Sequence, residues 1–431
     1  MDEAHRPTGP AAAIGGDLDR LVERAPNRSH HLYVHVPFCR LVCAYCDFVT
    51  VGGRAADIPR YVDGLLRELD LRPTPGRLRT AYFGGGTPSL LTASQVDRVL
   101  GGAAMRWPDV ALEEVTLEAN PSGREAPDWH GLRAAGVTRI SLGVQSLRDA
   151  QLRALARGHS AAEARAAFAA ARGAGFDNLS IDLIYGIPGQ SLDDWRRDLD
   201  SAVALRPEHL SLYALSLVLE PDEWAASPRP GALRWRRRLA PRQDDALAAD
   251  HYQLAEERLG AAGYRHYELS SWARPGWESR HNSAYWARRA YSGIGAGAHS
   301  YDGAAARWWN VRDLDAYLNS VDAGRLSVAG DEELDEPTRA FEAVALGLRL
   351  VDGLDLDAFA AEFGTDLRTR FAHAVETGQA AGLLELTDAD RLRLTAAGRL
   401  LASEALVGFL PAADAAAAVA SAVSVGSAAV A

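Results

Sequence analysis

Cysteine is scarce in this chain, which holds three in 431 residues. An odd number crowded into one stretch, with nothing like a secretory h-region at the start, excludes a disulfide framework and points to a reducing cytoplasm. Long apolar runs are missing too, since no stretch reaches the roughly twenty strongly apolar residues that a membrane-spanning helix needs. Residues 411–431 come nearest, but they are mostly Ala with Ser and Val, the composition of a frayed helix or low-complexity tail. Positive charge is also in deficit. With 46 Lys and Arg against 57 Asp and Glu the formal net charge is -11, which argues against a general nucleic-acid partner. The local exception is the run Arg234-Trp235-Arg236-Arg237-Arg238, expected as a solvated loop. Residues 1–28 offer little to pack and read as a disordered extension.

What remains is a chain that is 48% apolar and long enough for a large core and two domains. From His31 onward, short β-branched or aromatic runs alternate with Ala/Leu/Arg segments of helical period, the pattern of strand-helix units and a parallel sheet. Six strands are expected, at 32–36, 80–83, 114–118, 139–143, 179–184 and 209–215. They suggest a partial (β/α)6 barrel of the α/β class, with its chemistry at the C-terminal ends of the strands. Cys39, the Gly84-Gly85-Gly86 turn, Glu118, Gln145, Tyr185-Gly186 and Ser216 all fall just there. Beyond residue 216 the expectations are a helix over 244–262, a strand over 264–271 and a loop over 272–310. Helices over 336–348, 356–363 and 366–377, a hairpin at 383–386 and 391–394, and a last helix suggest a winged-helix-like, mainly α C-terminal domain. It has no basic recognition helix, so packing or a lid role is favoured over DNA binding. The resulting units are 1–28, 29–225, a connecting region 226–330, 331–410 and the tail 411–431.

Cys39-Arg-Leu-Val-Cys43-Ala-Tyr-Cys46 places three thiolates within eight residues, so that one loop can wrap three corners of a cuboidal cluster. The fourth iron is left open for a chelating amine and carboxylate. The competing reading is zinc completed by His31 or His35; structural zinc sites usually pair cysteines as two knuckles, and no second pair exists.

These residues resemble the radical S-adenosylmethionine (SAM) superfamily, whose signature is Cys-x-x-x-Cys-x-x-Cys. Tyr33-Val-His-Val-Pro-Phe-Cys39 is similar to the branch that contains oxygen-independent coproporphyrinogen III oxidase and the HemW heme chaperones. The resemblance spans 31–410 and extends through Tyr82-Phe-Gly-Gly-Gly-Thr87-Pro88-Ser89, Glu118-Ala-Asn120-Pro121, Gly143-Val-Gln145-Ser146, Arg157-Gly158-His159 and Asp182-Leu-Ile-Tyr-Gly186-Ile-Pro188-Gly189. It implies a 4Fe-4S cluster on Cys39, Cys43 and Cys46, and a SAM site lined by Tyr33, Tyr45, Gly85, Gly86, Thr87, Glu118, Gln145, Arg157 and Asp182. Such a site supports reductive cleavage of SAM to methionine and a 5′-deoxyadenosyl radical, with an electron from a donor such as a flavodoxin or ferredoxin.

Two features separate members of the branch. The oxidase carries a further cysteine two residues after its third cluster ligand, where this chain has Phe48, as HemW proteins do. His281-Asn282-Ser-Ala-Tyr285-Trp286 resembles the heme-associated His-Asn-x-x-Tyr element of HemW, and imidazole and phenolate both ligate heme iron. His299 is a second candidate ligand. Trp286, Trp308 and Trp309 are expected to fill the core ahead of stacking on porphyrin, and the arginines around Trp235 are candidates to face propionates. The expected function is a heme chaperone that hands heme to an acceptor hemoprotein, with no nucleic acid and peripheral contact with membrane-bound acceptors. The alternatives are the oxidase and a heme-degrading radical SAM methyltransferase.

Overall fold

The structure is a computed structural model that describes residues 29–74, 76–217 and 230–411. The expected extension 1–28 and nearly all of the tail lie outside the described residues. The six expected strands form as β1 Ser29–Val36, β2 Arg77–Gly85, β3 Asp109–Ala119, β4 Arg139–Gln145, β5 Asn178–Tyr185 and β6 His209–Ala214. They pair in parallel in chain order, as strand-helix units require.

Each strand is buried on both faces, but the faces differ in kind. Leu32, Val34, Phe83, Val115, Leu117, Ile140, Leu142 and Ile181 form the apolar layer, all within 2% of complete burial. The alternate positions are polar and satisfy one another within the barrel. His31 Nδ1 shares a hydrogen bond with Thr80 Oγ1 (2.8 Å), Tyr82 donates to Glu118 (2.7 Å), Ser141 donates to Asp182 (3.0 Å), and Ser180 is bonded to His209 (2.8 Å).

Helix α1, Ile58–Leu71, shows how the wrapping layer is built. Ile58, Tyr61, Val62, Leu65 and Leu69 recur at helical spacing on its buried face, and a proline occupies its first turn. Glu68 falls on that face with no exposed surface. Its carboxylate accepts from Arg72 Nε (2.8 Å), Asn310 Nδ2 (2.7 Å), Gly295 N (2.8 Å) and Tyr317 OH (2.7 Å).

Residues 272–310 correct the expectation of a loop. They hold a helix, Arg280–Trp286, and three strands, Ala290–Ile294, His299–Tyr301 and Ala306–Asn310. The expected single strand 264–271 likewise divides into Arg265–Glu268 and Ser271–Ala273. With Val328–Glu333 these complete β7 (265–268), β8 (271–273), β9 (290–294), β10 (299–301), β11 (306–310) and β12 (328–333). All twelve strands form one sheet, in the order β12-β11-β10-β9-β1-β2-β3-β4-β5-β6-β8-β7. β9 lies parallel to β1 on the side away from β2, with Tyr33 opposite Gly293. The sheet owes its length to this pairing.

The C-terminal domain has its own core, built on Val344, Leu356, Phe359, Leu367, Leu392 and Phe409. Its helices include Glu336–Gly347 and Leu356–Phe363, and the expected 366–377 helix divides into Leu367–Arg370 and Ala372–Ala380. The hairpin forms at Leu384–Leu386 and Arg391–Leu394 and gains a short third strand at Leu354–Asp355. Among the described residues no helix is long and apolar enough to cross a membrane.

Because Glu68 is buried and paired with Arg72, Glu68→Ala leaves a buried cation and several donors without an acceptor. It is expected to lower stability by about 3–5 kcal/mol, read as a fall in the urea midpoint at unchanged slope.

Candidate functional site

The chain leaves β1 into the cysteine loop at the C-terminal rim of the barrel. Cys39, Cys43 and Cys46 are all half-buried there. Thr87 Oγ1 reaches Cys39 Sγ at 3.5 Å, and Arg157 Nη1 reaches Cys43 Sγ at 3.1 Å and Tyr45 OH at 3.2 Å. The other end of the same guanidinium donates to Asn120 Oδ1 (2.6 Å) and the Gly143 carbonyl (2.7 Å), so one arginine ties the loop to the ends of β3 and β4. Burial pushes the Cys39 thiol up to about 11 and Cys46 up to about 12. Thiolates at these positions therefore need a cationic partner, as bound iron would be.

The zinc alternative finds no ligand set. His35 is buried with Nε2 held by the Val49 carbonyl (2.8 Å) and Nδ1 by Tyr33 OH (3.1 Å), and His31 is bonded to Thr80.

Beside the cysteines lies a pocket of about 340 Å³ lined by Tyr45, Gly85, Gly86, Thr87, Glu118, Gln145, Arg157 and Asp182. Eight of the nine expected SAM residues thus meet in one place, and the ninth, Tyr33, lines a neighbouring cavity instead. The glycine turn is required by close approach, since a Cβ on Gly86 would sit 2.7 Å from the Pro37 carbonyl oxygen and 2.8 Å from that of Phe38. Gln145 has φ +66°, a conformation that side-chain-bearing residues avoid except where the surroundings impose it. Burial raises Glu118 to about 7 and Asp182 to about 6, against the pull of the Tyr82 and Ser141 hydrogen bonds. Two carboxyl groups held this way are ready to accept from hydroxyls of a ligand. Asn120, Ser141 and Tyr213 share the pocket beyond the residues that sequence reasoning named; the readable signal for Asn120 was its place in Glu118-Ala-Asn120-Pro121, and in the fold its Oδ1 accepts from Arg157.

The neighbouring cavity is larger, about 1160 Å³, and mostly apolar. Tyr33, Phe48, Tyr285, Trp286, His299 and Trp309 form much of its wall. Asp47 and Phe48 line both spaces, and Phe48 is 67% exposed between them.

His281 is not in that wall. It has no exposed surface; Nδ1 is bonded to Thr80 Oγ1 (2.7 Å) and Nε2 to Tyr285 OH (2.8 Å). The side chain expected as a heme ligand is thus enclosed, with both ring nitrogens hydrogen-bonded within the protein. Trp308 is core, as expected, whereas Trp286 and Trp309 face the cavity.

The arginine run is also corrected. It is a helix, Pro230–Leu239, which lays Trp235 beside Tyr45 and buries Arg236 against the Ala44 carbonyl (3.2 Å) and the Asp47 carboxylate. Arg236 braces the cysteine loop and does not face the cavity, while Arg234, Arg237 and Arg238 are exposed.

Comparison with known proteins follows the same division. The Radical SAM superfamily matches residues 33–202 and the HemN C-terminal domain matches residues 334–401. The heme chaperone HemW of Mycobacterium tuberculosis (strain ATCC 25618 / H37Rv) is 40% identical over 388 residues, 88% of this chain and 94% of that protein. The heme chaperone HemW of Escherichia coli (strain K12) is 35% identical over 392 residues, covering 88% and 97%. Among solved structures, coproporphyrinogen III oxidase (HemN) from Escherichia coli superposes with a TM-score of 0.77 at 24% identity, over 90% of this chain and 92% of that one. At that identity the likeness speaks for the fold.

A carboxyl group with a raised value binds a proton in the folded chain that it has lost in the unfolded one. The Glu118 contribution to stability of the ligand-free protein is thus expected to decline as pH rises from 4.5 to about 7. Glu118→Gln should remove that slope and leave the protein more stable than wild type at pH 8, as measured by denaturant titration across pH.

Proposed function

The chain belongs to the HemW heme chaperones of the radical SAM superfamily, and we propose that it takes up heme in the larger cavity and passes it to an acceptor hemoprotein. The observation that carries this reading is the cavity itself, about 1160 Å³ of mostly apolar, aromatic-walled space divided from the cysteine pocket by Phe48. A space of this size exceeds what most small metabolites need and suits a flat, apolar macrocycle. Arg289 lines the cavity as well as the shallow pocket beside His31, and it is the cation we propose for a propionate.

Membership of the superfamily implies a 4Fe-4S cluster and SAM, and the residues present fit both. Cys39, Cys43 and Cys46 would hold three irons, each thiol giving up its proton on binding. When bound, the cluster and SAM supply one-electron chemistry at an open iron. The chain's own residues supply position. Arg157 fixes the loop at Cys43, and the Gly85-Gly86 turn lets the backbone come close to a ligand. Glu118 and Asp182 would accept from ribose hydroxyls, and Gln145 and Thr87 complete the lining. Tyr285 belongs to the heme side, steadied by His281.

The units we propose for this work are the barrel 29–225, the connecting region 226–330 and the C-terminal domain 331–410, acting in the cytoplasm. A flavodoxin or ferredoxin is the electron donor we propose for any turnover of SAM, and the acceptors include membrane-bound hemoproteins reached by peripheral contact.

The test is an anaerobic transfer assay on the full chain, with the cluster reconstituted or withheld. Stoichiometric heme uptake, followed by appearance of heme in an apo-hemoprotein, is the expected outcome. Formation of harderoporphyrinogen or protoporphyrinogen from coproporphyrinogen, seen by mass spectrometry with SAM and reductant present, would overturn it in favour of the oxidase.

A further inference from the structure

The chain carries a net charge of -11, yet between Pro230 and Gln243 it holds five arginines and no acidic residue. The helix Pro230–Leu239 sorts them by face. Trp235 and Leu239 are buried in an apolar cluster with Leu155, Ile184 and Leu215, and Arg236 is committed to the Ala44 carbonyl and Asp47. Arg234, Arg237 and Arg238 lie three and four residues apart, so they share another face, and all three are exposed. Arg242 is exposed in the short turn that follows, its Nη2 3.5 Å from where a Cβ on Gly189 would stand.

This charge is more than the helix needs. Cations in a last turn suit the helix dipole, and Arg236 already stands there, whereas like charges at i, i+3 and i+4 repel one another. Position gives the charge a use. The helix rests on the cysteine loop: Trp235 lies beside Tyr45 with ring centroids 6.5 Å apart and donates to the Ala154 carbonyl (3.1 Å), and the Arg236 contacts at Ala44 and Asp47 bracket Cys46. The exposed arginines therefore lie one helix thickness from that loop, about 10 Å. Arg40 on the loop and Arg153 next to Ala154 are exposed as well. Neither the smaller pocket nor the larger cavity is lined by Arg234, Arg237, Arg238 or Arg242, so their charge is turned to something outside the chain. An anionic bilayer fits poorly, since the helix turns Trp235 and Leu239 inward and offers lipid no apolar anchor.

We propose that this arginine face is the docking surface for a small acidic one-electron carrier of the flavodoxin or ferredoxin kind. The inference rests on the electron-donor reading above and names where that donor binds. Opposite charge steers the carrier on and holds it over the cysteine loop. One electron passes to the cluster held by Cys39, Cys43 and Cys46; the carrier is oxidised by one electron, the cluster is reduced by one, and no bond is made or broken.

The experiment titrates oxidised flavodoxin into the full-length chain by calorimetry, with the cluster reconstituted and without it, at low and moderate salt. It then compares anaerobic cluster reduction by reduced flavodoxin with reduction by photoreduced 5-deazariboflavin, a small uncharged reductant. Binding to both forms is expected, weakening as salt rises. The triple variant Arg234→Glu, Arg237→Glu, Arg238→Glu is expected to lower affinity and the flavodoxin rate by about tenfold or more, with the deazaflavin rate unchanged. The triple variant with Gln at the same three positions is expected to fall between, and it stands in should the charge-reversed chain fail to fold. Wild-type affinity and flavodoxin rate in a folded variant would overturn the assignment. So would a wild type that binds phosphatidylglycerol vesicles through these arginines and flavodoxin not at all. A reconstituted cluster that deazaflavin cannot reduce would overturn the electron-donor reading and the assignment with it, while heme uptake by the same protein would still stand.

Discussion

Glu68 is the contact on which the two halves of the molecule depend. Its carboxylate has no exposed surface, so the cost of its burial is offset only by the donors it gathers, and it draws them from Arg72 at the end of its own helix, from Gly295, from Asn310 and from Tyr317. The last three of these partners lie more than 200 residues away in sequence. The backbone amide after β9 and the end of β11 are thereby held against the first helix of the barrel, and the wall that carries His299 lies between them. The neighbouring Tyr61 adds a second tie, donating to the His35 carbonyl (2.8 Å) and accepting from Ala296 N (3.0 Å).

A second line of contacts runs through the inside. Thr80 on β2 touches both His31 on β1 and His281, and His281 in turn holds the hydroxyl of Tyr285 at the cavity. Glu114 adds to this by accepting from the backbone amides of Arg280 (3.1 Å) and His281 (3.0 Å) at the start of that helix. The polar interior of the barrel therefore does not stop at its six strands. It continues as one hydrogen-bonded path to the larger cavity. Burial lowers His281 well below the usual histidine range, which keeps the ring neutral, able to donate at one nitrogen and accept at the other.

Much of the barrel was legible in the sequence because its signals are local. Six β-branched or aromatic runs, glycines at the turns and three cysteines in eight residues each declare themselves within a short window. The connecting region 264–333 was not legible for an equally physical reason. β9, β10 and β11 are three to five residues long, interrupted by Gly293, Gly295, Gly297 and Gly303, and acquire strand character from partners such as β1, some 260 residues distant. His281 was read as a ligand from its motif, since nothing near it in sequence announces that Thr80 and Tyr285 would occupy its two nitrogens. The arginine run read as solvated because charge density is visible in sequence, whereas the pairing of Arg236 with Asp47 is not.

The twelve-strand sheet bears on how cargo leaves. Barrel and cavity wall are joined by the backbone ladder between β1 and β9, with no linker at that boundary to act as a hinge. Opening the two halves like a clamshell would mean breaking the sheet and exposing the Glu68 cluster, a cost on the scale of unfolding a domain. The way into the larger cavity is therefore a mouth whose outline the backbone ladder fixes.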